Sequence, residues 1–260
     1  MISRMLNSLF TYGPSQSAQK ALFHMFPRPI PHFAKYVECV DGLNGLEIGG
    51  PSPVFKPGGL IPIYDLIGKL DNCNFSSRTI WEGQLTTGKT FMFSQQKPPG
   101  TQYILEASNL SEISDGQYDF LLSSHMLEHS ANPIKVLREW RRVLKPRGRI
   151  IILLPNKRWT FDHRRPITKM EHLIADFDAV IGEDDLTHLN EIMSLHDLKR
   201  DKPAGTYDMF KARSERNFEN RCLQHHVFDA SLVRQMLEYS GFVVQTIAEH
   251  LINIVAIAER

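Results

Sequence analysis

Residues 118–156, YDFLLSSHMLEHSANPIKVLREWRRVLKPRGRIIILLPN, set the architecture. YDFLLSS at 118–124 and RIIILLP at 149–155 each carry the apolar run of a buried strand. Between them, NPIKVLREWRRVLK places Ile134, Val136, Leu137, Trp140, Val143 and Leu144 largely on one face of a helix, and Pro146 with Gly148 punctuates its end. Strand, helix and strand in that order imply parallel pairing and a doubly wound sheet.

Working outward, a short apolar strand over 45–48 ends in the loop LEIGGPSPVF at 46–55. The stretch LIPIYDLIGKLD, running to Asp71, has strand-like content near 61–64 and again near 67–70, and TQYILEASNL is strand-like to Glu106. Residues 72–100, with TTGKT and QQKPPG, read as an irregular insertion. After residue 156 the alternation stops. Residues 157–224 are polar and largely helical, with weak apolar content, and resemble a function-bearing insertion or lid. The pattern resumes with the amphipathic helix DASLVRQMLEYSGF, stopped by Gly241, and the strands FVVQTIAE and LINIVAIAE. The expected division is an N-terminal helical segment over 1–40, broken by PRPIP at 27–31, and a Rossmann-like α/β domain over 41–260 with a substrate-side insertion at about 157–224.

Composition excludes several classes. A 42% hydrophobic and 23% charged chain is globular rather than disordered. Thirty Lys+Arg against 29 Asp+Glu leave no global field to draw nucleic acid or an anionic membrane. Cys39, Cys73 and Cys222 lie far apart without a CxxC pair, which argues against a zinc ribbon or disulfide framework and for a reducing, cytoplasmic compartment. No secretory leader or membrane span is expected; Phe10, Phe23, Phe26 and Phe33 suit a segment that covers a cleft, a partner or a membrane surface peripherally.

The 118–156 run resembles the class I S-adenosylmethionine-dependent methyltransferases, in particular the type-11 methyltransferase domain. The Tyr118-Asp119 start, SSHMLEH, the Leu-Arg-Glu helix, RVLKPRGR and the closing PN match in content and spacing, and EYSGF at 238–242 matches the late helix-turn-strand. The resemblance implies a mostly parallel seven-stranded sheet with an antiparallel final hairpin, and S-adenosyl-L-methionine as cofactor.

The loop at 46–55 is consistent with that cofactor. Glu47 and Gly49 match the family's acidic residue and first glycine, whereas Pro51 and Pro53 replace later glycines. Proline removes backbone N–H groups on which a dinucleotide pyrophosphate depends, but a phosphate-free cofactor needs only close approach at Gly49 and Gly50. By position, the resemblance assigns cofactor contacts to Glu47, Gly49, Gly50 and Pro51, to Asp71 (with Asp65 second) at the ribose, to Glu106 and Ala107 at the adenine, and to Ser123 and Ser124 at the methionine end.

Methyl transfer needs alignment and, for a hydroxyl acceptor, a base, for which histidine suits neutral pH. The candidates are His125, which leaves the fourth strand beside the expected methyl, and His225 and His226 in CLQHHVF. His163, Arg164 and Arg165 in FDHRRP suit a phosphate or carboxylate on the substrate. His125, Glu128 and His129, at i, i+3 and i+4, form a candidate divalent-metal set, with a fourth ligand from His225 or His226. His172, His188 and His196 are expected on helix surfaces. The function these readings support is O-methylation of a small polar or glycosyl acceptor. The alternatives are a methyltransferase-like scaffold without catalysis, suggested by the two prolines, and a nucleotide-dependent sugar-modifying dehydrogenase, which the loop disfavours.

Overall fold

A computed structural model describes Thr11 and residues 30–260. The helices expected before residue 30, and the covering role of Phe10, Phe23 and Phe26, lie outside the described residues. No helix among the described residues is long and apolar enough to cross a membrane.

The sheet is built from β1 (Asn44–Ile48), β2 (Lys69–Asn74), β5 (Gly88–Phe91), β6 (Gly100–Ile104), β7 (Tyr118–Ser124), β8 (Leu144–Pro155), β9 (Val243–His250) and β10 (Asn253–Glu259). Their order is β5-β6-β2-β1-β7-β8-β10-β9. From β6 to β8 the pairs are parallel, and β10 runs antiparallel to both β8 and β9. The chain winds outward from β1 to β2 and β6, then returns to place β7 on the other side of β1. The switch point therefore lies between β1 and β7, where an open α/β sheet leaves a crevice at its strand C-termini.

Two expectations are corrected. The sheet has eight strands rather than seven, because 72–100 is not wholly irregular: β5 adds to the edge antiparallel to β6, and β3 (Arg78–Thr79) with β4 (Gly83–Gln84) makes a small hairpin. Residues 61–64 form no strand; Tyr64–Leu66 is a 3-10 turn and pairing begins at Lys69.

Alternation on the strands fills both faces. Along β8, Ile150, Ile152 and Leu154 pack with α2 (Pro133–Val143) and α7 (Ala230–Tyr239), while Ile151 and Leu153 pack on the other face with Tyr36, Cys39 and Val40 of α1 (Phe33–Val40). The predicted stripe on α2 is buried in full, and the helix starts where Asn132 accepts from Lys135 N–H with Pro133 at the first turn. The insertion supplies α3 (Met170–Asp178), α4 (Leu189–Leu195), α5 (Tyr207–Glu215) and α6 (Asn217–Asn220). Apart from α3, whose Leu173 joins the main core, it has a small buried cluster of its own: Ile192, Ala204, Phe210 and Leu223.

Candidate active site

A cavity of about 770 Å³ opens at the switch point, within the ~300–1,000 Å³ usual for small-molecule sites. Ile48 and Gly49 after β1, Ser124 and His125 after β7, and Asn74 after β2 form its floor. Glu106 and Ala107 after β6 form one wall. Trp81, at the tip of the β3–β4 hairpin and about half exposed, overhangs it with its ring 5.6 Å from that of His129.

The loop after β1 is organised around Glu47. Its fully buried carboxylate accepts from Ser52 N–H (3.1 Å), the Ser52 hydroxyl (2.6 Å) and the Tyr64 hydroxyl (2.7 Å). Burial pushes Glu47 up to about 7 against those hydrogen bonds. A Cβ on Gly50 would stand 2.1 Å from that carboxyl, so Gly50 is required by Glu47. Gly49, at φ +87°, bonds its N–H to Cys73 O and faces the cavity. Pro51 faces a separate groove with Gln84 and Gln102.

The loop offers few donors: Pro51 and Pro53 have no N–H, and those of Gly49 and Ser52 are taken. The chain then enters a 3-10 turn (Pro53–Phe55), so no α-helix N-terminus points at the crevice. Such a loop suits a phosphate-free cofactor better than a pyrophosphate.

The sequence-predicted residues divide sharply. Gly49, Glu106, Ala107, Ser124 and His125 line the cavity, whereas Glu47, Gly50 and Pro51 hold the loop from behind. Ser123 is fully buried, because alternation turns it into the sheet. Asp71 is corrected by register. Ile48 pairs with Cys73, so the residue at the end of β2 is Asn74, and Asp71 sits three positions back. There it accepts from Thr101 N–H, Lys69 and the Tyr118 hydroxyl; burial raises its carboxyl, but these partners outweigh burial and hold it below the usual range. Asp65 is also elsewhere, accepting from Ser94.

His225 and His226 are buried and do not line the cavity; their neighbour Gln224 does. Burial pushes His225 down to about 3 and His226 well below its usual value. The FDHRRP residues are corrected likewise. His163 and Arg164 pair with Asp197, and the buried Arg165 donates to Glu191 and to the carbonyls of Gln224 and His225, fastening the insertion. Arg213 and Arg221 line the cavity instead, and Arg221 pairs with Glu106 at 2.5 Å. The insertion's path, which sequence spacing does not give, selected them.

His125, Glu128 and His129 do converge on the cavity, but not as one helix face. Leu127–His129 is a 3-10 turn and His125 precedes it at φ +52°, a left-handed conformation costing ~1–2 kcal/mol for a side chain of this kind. Asn253 Oδ1 accepts from His125 Nε2 at 2.7 Å and Leu223 O from His129 Nδ1 at 2.8 Å, which leaves His125 Nδ1 and His129 Nε2 with lone pairs. Those nitrogens lie 3.7 and 3.9 Å from Glu128 Oε1. Glu128 is fully buried and neither carboxyl oxygen has a hydrogen-bond partner. Burial pushes it up to about 8, His129 down to about 4, and His125 below its usual value. Burial thus favours the protonated carboxyl and the unprotonated imidazoles. Sequence reading offered Glu128 only as a metal ligand; an ionisable residue in an otherwise family-like triplet gave no hint of its desolvation.

The sheet order and its switch-point crevice define the class: a Rossmann-like α/β domain. Residues 79–152 match the family model described as a methyltransferase domain. The matched range leaves out both the β1 loop and the insertion. No curated protein matches. Among solved structures the chain is similar to a SAM-dependent methyltransferase from Methanosarcina mazei (17% identity, 88% of this chain and 97% of that one, TM-score 0.46). It is also similar to one from Mesorhizobium loti (12%, 88% and 96%, 0.47) and one from Aquifex aeolicus (13%, 87% and 86%, 0.40).

Proposed function

We propose that the protein methylates a hydroxyl of a small polar or glycosyl acceptor. Gly49, Asn74, Glu106, Ala107 and Ser124 hold S-adenosylmethionine, which supplies an activated methyl group. His125 carries the reading: it faces the cavity beside the strand termini, fixed by Asn253, with an unprotonated Nδ1 able to take the acceptor's hydroxyl proton. Arg213, which lines the cavity and pairs with Asp201, binds an acceptor oxygen, and Trp81 excludes water above it. A small acceptor in a cytoplasmic setting agrees with the near-zero charge and the three free cysteines.

Calorimetric titration with S-adenosylmethionine, followed by turnover on a panel of hydroxylated acceptors, tests this. His125→Gln should lower kcat by ~10²–10⁴-fold and leave cofactor affinity within about threefold. Absence of cofactor binding sinks the reading, and binding without transfer to any acceptor favours the scaffold alternative.

A further inference from the structure

We infer that the insertion carries a structural zinc site formed by His172, Asp176, His188 and His226, separate from the catalytic cavity. One ligand atom from each of the four lies within 4.8 Å of every other. His172 Nε2 is 3.1 Å from His188 Nε2 and 3.3 Å from Asp176 Oδ2, and Asp176 Oδ2 is 3.7 Å from His226 Nε2. Zinc bonds of ~2.0–2.1 Å at tetrahedral angles separate neighbouring ligand atoms by about 3.3 Å. The three distances scatter around that edge.

A second observation points to a cation independently of the spacing. Asp176 Oδ2 is buried with no hydrogen-bond partner, although it faces three imidazoles. A buried carboxylate oxygen without a hydrogen bond is costly, and a dipositive ion among these side chains removes that cost. The competing partner is the Ala131 carbonyl, 3.3 Å from His226 Nε2.

The sequence supplies the ligands in a way that suits the fold's weakest part. His172 and Asp176 stand one turn apart on α3, His188 immediately precedes α4, and His226 lies on the segment leading into α7. One ion would tie three segments whose own buried apolar cluster beyond α3 is only four residues. Four protein ligands leave no open position, which is the pattern of a structural site rather than a catalytic one. The effect would still reach the cavity, because His225 N–H donates to Glu128 O at 2.8 Å, so the His226 segment props the turn that carries Glu128.

The test is metal analysis of untagged protein by plasma mass spectrometry after gel filtration, with reconstitution in zinc and desalting. About one equivalent of zinc is expected, with a lower melting temperature after chelation and the intense visible absorption of a tetrahedral centre on cobalt substitution. His172→Gln and Asp176→Asn, the least disruptive changes, should abolish both metal retention and the cobalt spectrum, whereas His32→Ala, exposed and remote in sequence, should not. Less than roughly 0.1 equivalent after reconstitution overturns the site, as does full retention in both variants. Should the variants not fold, the stoichiometry and cobalt geometry of the wild-type protein decide alone.

Discussion

Glu128→Gln isolates the buried carboxyl behind His125. Glu128 holds its proton up to about pH 8, against a value of 4.5 in an unfolded chain, because burial disfavours its charge. The folded pKa is raised, so its contribution to stability is full below 4.5 and is lost as pH rises through 8. Each unit of difference is worth about 1.4 kcal/mol, and between pH 5 and pH 9 wild type should lose up to about 4 kcal/mol more than the glutamine variant. Glutamine keeps the shape and cannot ionise, so subtracting the two curves removes Glu47 and every other titrating group. Urea denaturation at pH 5, 7 and 9 measures the difference, with the variant relatively more stable at pH 9. Curves that stay parallel within about 0.5 kcal/mol would show that the carboxyl is not held neutral, and the placing of protons in the trio with His125 and His129 would fail.

Asn74→Ala should weaken S-adenosylmethionine binding by about tenfold or more in calorimetry, whereas Asp71→Asn should leave affinity within about twofold and cost ~1–3 kcal/mol of stability, since Asp71 bonds Thr101, Lys69 and Tyr118 away from the cavity. The reverse pattern would restore Asp71 as the ribose contact. Arg165→Ala should destabilise by ~3–5 kcal/mol in the same urea assay, because it strips a buried cation from Asp162, which is itself buried, and from two carbonyls of the insertion; an unchanged midpoint with a raised KM would instead return it to substrate binding.

Most of the sheet was legible because its signals are local. Buried strands such as 149–155 and the apolar stripe of α2 depend on periodicities of two and 3.6, which any stretch of sequence displays by itself. The edge strand β5 was hidden because Gly88, Lys89 and Thr90 are exposed and polar, and pairing with β6 rather than apolar content makes them a strand. At the site, Gly49, Ser124, Ala107 and Glu106, whose positions follow directly from strand ends, line the crevice. Asp71 was misplaced because composition advertises the acidic residue, while register with β1 fixes where β2 stops.

The histidines mark the boundary most clearly. Sequence by itself determined the buried strands, their alternation with a helix and a loop that disfavours pyrophosphate, since each follows from neighbours within a few residues. Tertiary structure alone decided that His225 and His226 turn away from the cavity, that His172 and His188 converge on Asp176, and that burial raises Glu128. Charge and coordination depend on which side chains share a few ångströms and how much water is excluded there. Those quantities are set by how the insertion packs back onto the sheet, over separations in sequence that no local pattern spans.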